Sequence, residues 1–204
     1  MSPENAAILN VSGLVKRFGG FFALDGLSFH VAAGEILGLV GPNGSGKTTA
    51  INVISGLYAP DGGEVMLDGA PIGGVASHRL VHRGINRTFQ IPKPFLSLTV
   101  RQNVEVALAY GRAAVTPPTM RELLDALAAG LNPAELDWIA GHIKALAASG
   151  VAIIVVEHLM GFIEHVTDRV IVLNAGKEIF EGKLAVAVQV PQVIEVFLGG
   201  EHAA

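Results

Sequence analysis

Cysteine is absent from the 204 residues, so disulfides, thiolate nucleophiles and cysteine-held metals are excluded. Charge is also scarce. Only 16% of residues are Asp, Glu, Lys or Arg, and 14 basic residues face 18 acidic ones for a formal net charge of −4. No basic cluster offers the electrostatic footprint a nucleic acid needs, so nucleic acid is not an expected partner. Long apolar runs are missing as well: the longest aliphatic stretch is Val151 to Val156, far below the roughly 18 residues that span a bilayer. The opening Met1-Ser2-Pro3-Glu4-Asn5 has neither the basic patch nor the apolar segment of a secretory signal, and the expected compartment is the cytoplasm. What the chain has in abundance is small and aliphatic residues. Half of it is hydrophobic with only 6% aromatics, and it holds 25 glycines. That balance fits strands buried on both faces of a parallel sheet. The length fits one domain, with room for a small appendage.

Ile8 to Leu14, Leu27 to Val31 and Glu35 to Val40 read as short strands broken by Gly19-Gly20 and Ala33-Gly34. A helix is predicted from about Lys47 to Ser55, stopping at Gly56, and a strand over Glu64–Leu67 closed by Asp68-Gly69. Val100 to Ala109 reads as helix, fading into Gly111 to Thr119 where Pro117-Pro118 block regular structure. A further helix spans Asn132 to Gly150, with Asn132 as cap, Pro133 in the first turn and Glu135 completing a capping box. Its predicted inner face is Leu136, Ile139, Ile143 and Leu146. Val151–Val156 is expected as a buried strand. A hairpin follows around Asn174-Ala175-Gly176, and then a closing helix from Pro191 to Leu198. Strands alternating with helices predict an α/β fold with a mostly parallel sheet and an antiparallel portion at the amino end.

Gly41-Pro42-Asn43-Gly44-Ser45-Gly46-Lys47-Thr48 matches the eight-residue P-loop pattern, with Thr49 next. Each residue type has a physical reason. Glycines at 41, 44 and 46 let the backbone turn its N–H groups into a nest for a phosphate at a helix N-terminus, where the dipole favours anions. Lys47 is placed to reach the β- and γ-phosphates of a nucleotide, and the Thr48 hydroxyl to ligate Mg²⁺. The loop also stands where the motif requires it, after a strand and before a helix. Of the seven histidines, the six other than His158 show no ligand spacing and are expected at the surface or in packing, so no histidine metal site is expected.

A P-loop alone does not separate a GTPase, a kinase and a transport ATPase. The remaining segments resemble the ATP-binding subunits of ABC transporters, most closely those of branched-chain amino-acid importers. Val15-Lys16-Arg17-Phe18-Gly19-Gly20 with Ala23-Leu24 resembles the family's opening hairpin, in which Phe18 would stack on adenine; outside that register Phe18 reads as a core aromatic. Arg87-Thr88-Phe89-Gln90 resembles the glutamine loop, Ala129-Gly130-Leu131-Asn132-Pro133 the D-loop, and Val156-Glu157-His158 the switch histidine at a strand end. Asp168-Arg169-Val170 to Gly176 with Glu181-Gly182 is similar to the family's last hairpin. The resemblance runs through nearly the whole chain in order. It implies a P-loop NTPase core that binds ATP and Mg²⁺, with Lys47, Gln90 and His158 at the γ-phosphate and Thr48, Gln90 and Asp125 around the metal. It also implies a partner ATPase, a second copy or a paralogue, and transmembrane permease subunits that hold the chain at the inner face of the membrane, fed by a substrate-binding protein. Ile91-Pro92-Lys93-Pro94-Phe95-Leu96 would meet the permease.

One part of the family pattern is missing. A helical subdomain ending in a serine-glycine signature belongs between the glutamine loop and the aspartate strand, yet only Ile91 to Leu124 separates Gln90 from Asp125 and no signature occurs. The gap falls between about 110 and 125 of a single domain over 1–204. Leu123 to Pro133 aligns with the end of the aspartate strand and the D-loop, which makes Asp125 the magnesium-linked aspartate and puts Ala126 where the general-base glutamate is expected. Arg121-Glu122 interrupt what should be a buried strand. Leu123 to Ala129 therefore also fits a helix from before the gap, in which case Asp125 has no metal role. A segment left out of the sequence, a deletion and a decayed subunit each fit the shortfall. Taken alone, the chain is expected to be inactive as an ATPase. A regulatory or structural subunit that binds nucleotide without hydrolysing it is the rival reading.

Overall fold

A computed structural model describes residues 7–87, 97, 99, 133–157 and 159–198. The described chain opens with β1 (Ala7–Phe18) and β2 (Phe21–Ala32), a long antiparallel hairpin turning at Gly19-Gly20. Leu9, Val11 and Leu14 of β1 and Leu24, Leu27, Phe29 and Val31 of β2 are buried, and this one-sided apolar pattern lets a two-stranded ribbon cover a core. β4 (Gly62–Leu67) pairs with β1, and β5 (Ala70–Pro71) with β4. The resulting antiparallel sheet has the order β2-β1-β4-β5.

The second sheet has the order β6-β3-β7-β8. β3 (Ile36–Val40) is buried at every residue and runs parallel to both β6 (Ile153–Val155) and β7 (Arg169–Asn174). β8 (Lys177–Gly182) returns antiparallel to β7. A central parallel strand has no wet face, which is why Ile36-Leu37-Gly38-Leu39-Val40 carries no polar side chain. The two sheets share a core in which Leu37, Leu39 and Ile171 pack with Leu14, Leu24 and Leu27 of the hairpin and with Val53 and Ile54 of α1 (Lys47–Ile54).

The antiparallel amino-terminal portion and the parallel core are those expected. The strands at the amino end are longer than predicted and fuse into one hairpin, because cross-strand pairing carries the polar positions Asn10, Lys16 and His30 along with their apolar neighbours. Three short helices escaped the pattern: α2 (Ser77–His82), α4 (Met160–Val166) and α5 (Leu184–Ala187). Each has about one or two turns, too few for a 3.6-residue period to emerge. α6 (Pro191–Leu198) lies where predicted.

Two expectations are corrected. α3 spans Pro133–Ala148, but its inner face is Ala140, Ile143 and Ala147, and Leu146 is 43% exposed. The small residues win because the helix lies close to the sheet end: a Cβ on Gly34 would stand 3.0 Å from the Ala147 carbonyl oxygen. The strand predicted at 151–156 is only Ile153–Val155, with Ile153 and Ile154 half-buried and Val151 exposed. Among the described residues β6 is the edge of its sheet, and an edge strand keeps one flank open. The predicted cap Asn132 and the helix at Val100–Ala109 lie outside the described residues.

An ionic knot locks the sheet ends together. Arg169 Nε donates to Glu35 Oε1 at 2.5 Å, its Nη1 to Glu181 Oε1 at 2.5 Å and its Nη2 to the His30 carbonyl at 2.6 Å. Beside it, the Ile36 N–H donates to Asp168 Oδ2 at 2.8 Å. One guanidinium thus joins β2, β7 and β8 with the turn before β3.

Candidate functional site

The loop between β3 and α1 is set by its neighbours as much as by its own sequence. Gly41 has φ 146° and packs so tightly on β7 that a Cβ there would stand 2.2 Å from the Leu173 carbonyl oxygen and 2.8 Å from Ser45 Oγ. Gly46, at φ 107°, is closed off by the Ala23 carbonyl oxygen at 2.6 Å. No side chain other than hydrogen fits either place. Between them Ser45 is buried; its N–H donates to the Pro42 carbonyl at 3.2 Å and its carbonyl accepts the Gly176 N–H at 3.0 Å. Asn43, Gly44 and Thr48 face solvent.

α1 begins at Lys47 behind the left-handed Gly46, and no side chain caps it. The N–H groups of its first turn therefore have no partner within the helix, and they point outward at the positive end of its dipole. The helix forms because Ala50, Val53 and Ile54 bury one face, and Gly56, at φ 72°, ends it. Lys47 Nζ donates to the carbonyls of Gly41 at 2.6 Å and Pro42 at 2.7 Å, and sits 3.3 Å from Ser45 Oγ. Burial holds its pKa below the ordinary value, since desolvation disfavours the ammonium. Uncapped amides, a partly buried cation and an open rim make this loop fit for a polyanion.

Phe18 stands at the tip of the β1–β2 hairpin, 46% exposed, and is not a core aromatic. β2 runs from that tip to Ala23, whose carbonyl abuts Gly46, so the hairpin borders the loop. Phe21 and Phe22 are exposed beside it. Arg87 Nη1 donates to Asn52 Oδ1 and reaches Ser55 Oγ at 3.4 Å, which pins the segment leading toward Gln90 against α1. Gln90, Asp125, His158 and the 91–96 segment lie outside the described residues. The parallel pairing Gly38–Val155 sends the chain after β6 out at the same sheet end as the loop after β3. No group of three or more His, Asp or Glu among the described residues is placed to hold a metal. An open cavity of about 420 Å³ lies at the other end of β3, lined by Ile36, Lys144, His165 and Asp168 among others, and has no part in the loop.

Sequence reasoning missed two supports of this region. The Asn174-Ala175-Gly176 turn buttresses the loop: Gly176 N–H binds the Ser45 carbonyl while its own carbonyl accepts the Asp25 N–H at 3.0 Å. The segment after α1 holds the hairpin tip. Both are contacts between segments distant in sequence, which no local pattern reveals.

Residues 24–170 match the family model described as ABC transporter. The chain belongs to the ABC transporter family. It is 30% identical to the high-affinity branched-chain amino acid transport ATP-binding protein BraF of Pseudomonas aeruginosa, with 94% of this chain and 98% of that protein covered. It is 29% identical to LivG of Escherichia coli K12, a protein of the same description, over 94% and 98%. Among solved structures it is similar to the ADP conformation of an ATP-binding cassette of an ABC transporter, at 27% identity and a TM-score of 0.78 over 95% of this chain and 99% of that one. The match to BraF extends over 250 positions, whereas 94% of 204 residues is about 192, so about 58 positions of that relative have no counterpart in this ABC family member. Nearly all of the relative is covered, so the unmatched positions are internal to the match.

Among the described residues no helix is long and apolar enough to cross a membrane.

Proposed function

We propose that this chain is the ATP-binding subunit of an importer for branched-chain amino acids, and that residues 1–204 act as one nucleotide-binding domain lacking its helical signature subdomain. The observation that carries this reading is the uncapped start of α1 behind Gly46, with Lys47 inside the loop, in a chain of this family. Backbone N–H groups from Gly44 to Thr49 cradle the β-phosphate, and Lys47 exchanges its carbonyl partners for phosphate oxygens. Phe18 stacks on the base. The Thr48 hydroxyl, with Gln90 and Asp125, would hold Mg²⁺, which neutralises phosphate charge when bound. His158 and Gln90 orient groups at the γ-phosphate. Phosphoryl transfer to water needs positioning and charge neutralisation more than covalent chemistry, which such a residue set can supply.

In this reading two ATP-binding subunits close on MgATP and drive alternation in permease subunits at the inner face of the membrane, while a substrate-binding protein selects the cargo. With no signature, and with Ala126 where the family resemblance puts the general base, the isolated chain binds ATP without turning it over, and turnover requires a second ATPase subunit that supplies what this site lacks. The test is ATP turnover by the purified chain, alone and assembled with its permease and second ATPase. No turnover alone and turnover in the assembly that is lost in Lys47→Ala supports the reading. An assembly whose turnover is indifferent to Lys47→Ala instead favours the non-hydrolysing regulatory role.

A further inference from the structure

Residues 55–61, which follow the P-loop helix, reach back to the hairpin tip. The Asn52 carbonyl, in the last turn of α1, accepts the N–H groups of Leu57 at 2.8 Å and Tyr58 at 3.1 Å. Tyr58 is thereby fixed to the same helix that carries Lys47 at its other end. Its ring meets that of Phe18 edge-on, with centroids 5.4 Å apart and planes at 77°, the geometry in which a positive ring edge faces a negative ring face. Asp61 secures the backbone next to it: Asp61 Oδ2 accepts the Arg17 N–H at 2.6 Å and pairs with Lys16 Nζ at 3.1 Å, while the Asp61 N–H donates to the Val15 carbonyl at 2.9 Å. Lys16 Nζ also donates to the Ala59 carbonyl at 2.8 Å and lies 5.7 Å from the centre of the Phe18 ring. Yet Tyr58 is 40% exposed and Phe18 46%, so neither ring is held there by burial in the core.

We propose that Tyr58 is a positioning residue for nucleotide binding, which sets the plane and height of the Phe18 ring relative to the P-loop by tying it to the far end of α1. The inference rests on Phe18 being the base-stacking residue. A ring on a two-glycine turn has freedom to lose: Gly19 and Gly20 have nothing within 4 Å of their Cβ positions, so the turn itself does not restrain it. Tyr58 restricts that freedom before the base arrives, and a pre-ordered platform binds more tightly than one that must be ordered on contact. Because α1 also carries the phosphate loop, base and phosphates are gauged against a single rigid element.

The test uses the purified full chain and two probes, ATP and inorganic triphosphate, with Phe18→Ala, Tyr58→Leu, Tyr58→Phe and the double variant Phe18→Ala/Tyr58→Leu. Tyr58→Leu keeps apolar bulk and removes the ring that meets Phe18. It is expected to weaken ATP about 3- to 10-fold, the range for an edge-to-face pair, without changing triphosphate affinity. Tyr58→Phe restores ATP affinity, and Tyr58→Leu has no further effect once Phe18 is gone. Full ATP affinity in Tyr58→Leu while Phe18→Ala loses it overturns the positioning role and leaves the stacking reading intact. Loss of ATP and triphosphate affinity together in Tyr58→Leu marks a merely structural role and also overturns it. If Phe18→Ala itself leaves ATP affinity unchanged, the stacking reading fails and the inference falls with it.

Discussion

Lys47 shows how one side chain couples fold and ligand. Its ammonium closes the loop through the Gly41 and Pro42 carbonyls, and burial lowers its pKa. A folded-state pKa below the unfolded one means that the unfolded chain holds the proton longer. Stability therefore rises with pH between the lowered value and the ordinary lysine value of 10.5. Phosphate binding has the opposite sign, since only the charged ammonium attracts it. ATP affinity is expected to be level through neutral pH and to fall on the alkaline side, beginning below 10.5, as titrations at several pH values would reveal; an affinity that stays level to pH 10.5 would remove Lys47 from the site. Phe18 makes a separate contribution. Phe18→Ala is expected to weaken ATP by about 1–3 kcal/mol, the worth of one stacked base, and to spare inorganic triphosphate; equal losses for both probes in competition titrations would assign the ring to structure. The P-loop residues were legible because their types answer local demands of turn and charge. That Gly41 and Gly46 are also forced by the carbonyls of Leu173 and Ala23 was not, since those neighbours lie far along the chain.

At the scale of elements, strands and helices were legible where an apolar run or a helical period stands between clear breakers, as in β3 and α6, and failed where packing overrode the pattern. The inner face of α3 turned from Leu146 to Ala147 because the close approach at Gly34 admits only a small side chain. The same limit hid the knot at Arg169. That residue reads as one polar position opening an apolar strand, yet it holds Glu35, Glu181 and the His30 carbonyl together. Its side chain and that of Glu35 are 17% and 13% exposed, so solvent does not replace the pairing freely. Arg169→Ala is expected to destabilise the chain by about 2 kcal/mol, read as a lower urea midpoint. Glu178 adds a pH signature: burial, then the neighbouring Glu181, raise its pKa while Arg169 opposes them. Removing Arg169 should raise it further, which NMR titration of the Glu178 carboxyl would detect.

At the scale of the molecule, the described residues form an antiparallel sheet and a mostly parallel one that share a core, with the phosphate loop at the carboxyl end of β3 and the hairpin tip beside it. That architecture was legible from the alternation of strands and helices. The gap expected between about 110 and 125 lies outside the described residues; the comparison with BraF shows that about 58 positions of that relative have no counterpart in this chain. An intact mass of 21.2 kDa is expected if the gap is real, and a mass several kilodaltons higher would restore the missing segment. The central claim, that the loop from Gly41 to Thr49 binds ATP by its phosphates, is tested most directly by calorimetric titration of the purified chain with MgATP beside its Lys47→Ala variant. The account predicts saturable binding at one site per chain, weakened by about 1.5–3 kcal/mol in the variant, the range for a lost hydrogen bond to a charged group. Saturable binding of equal strength in both proteins, or none in either, would contradict it.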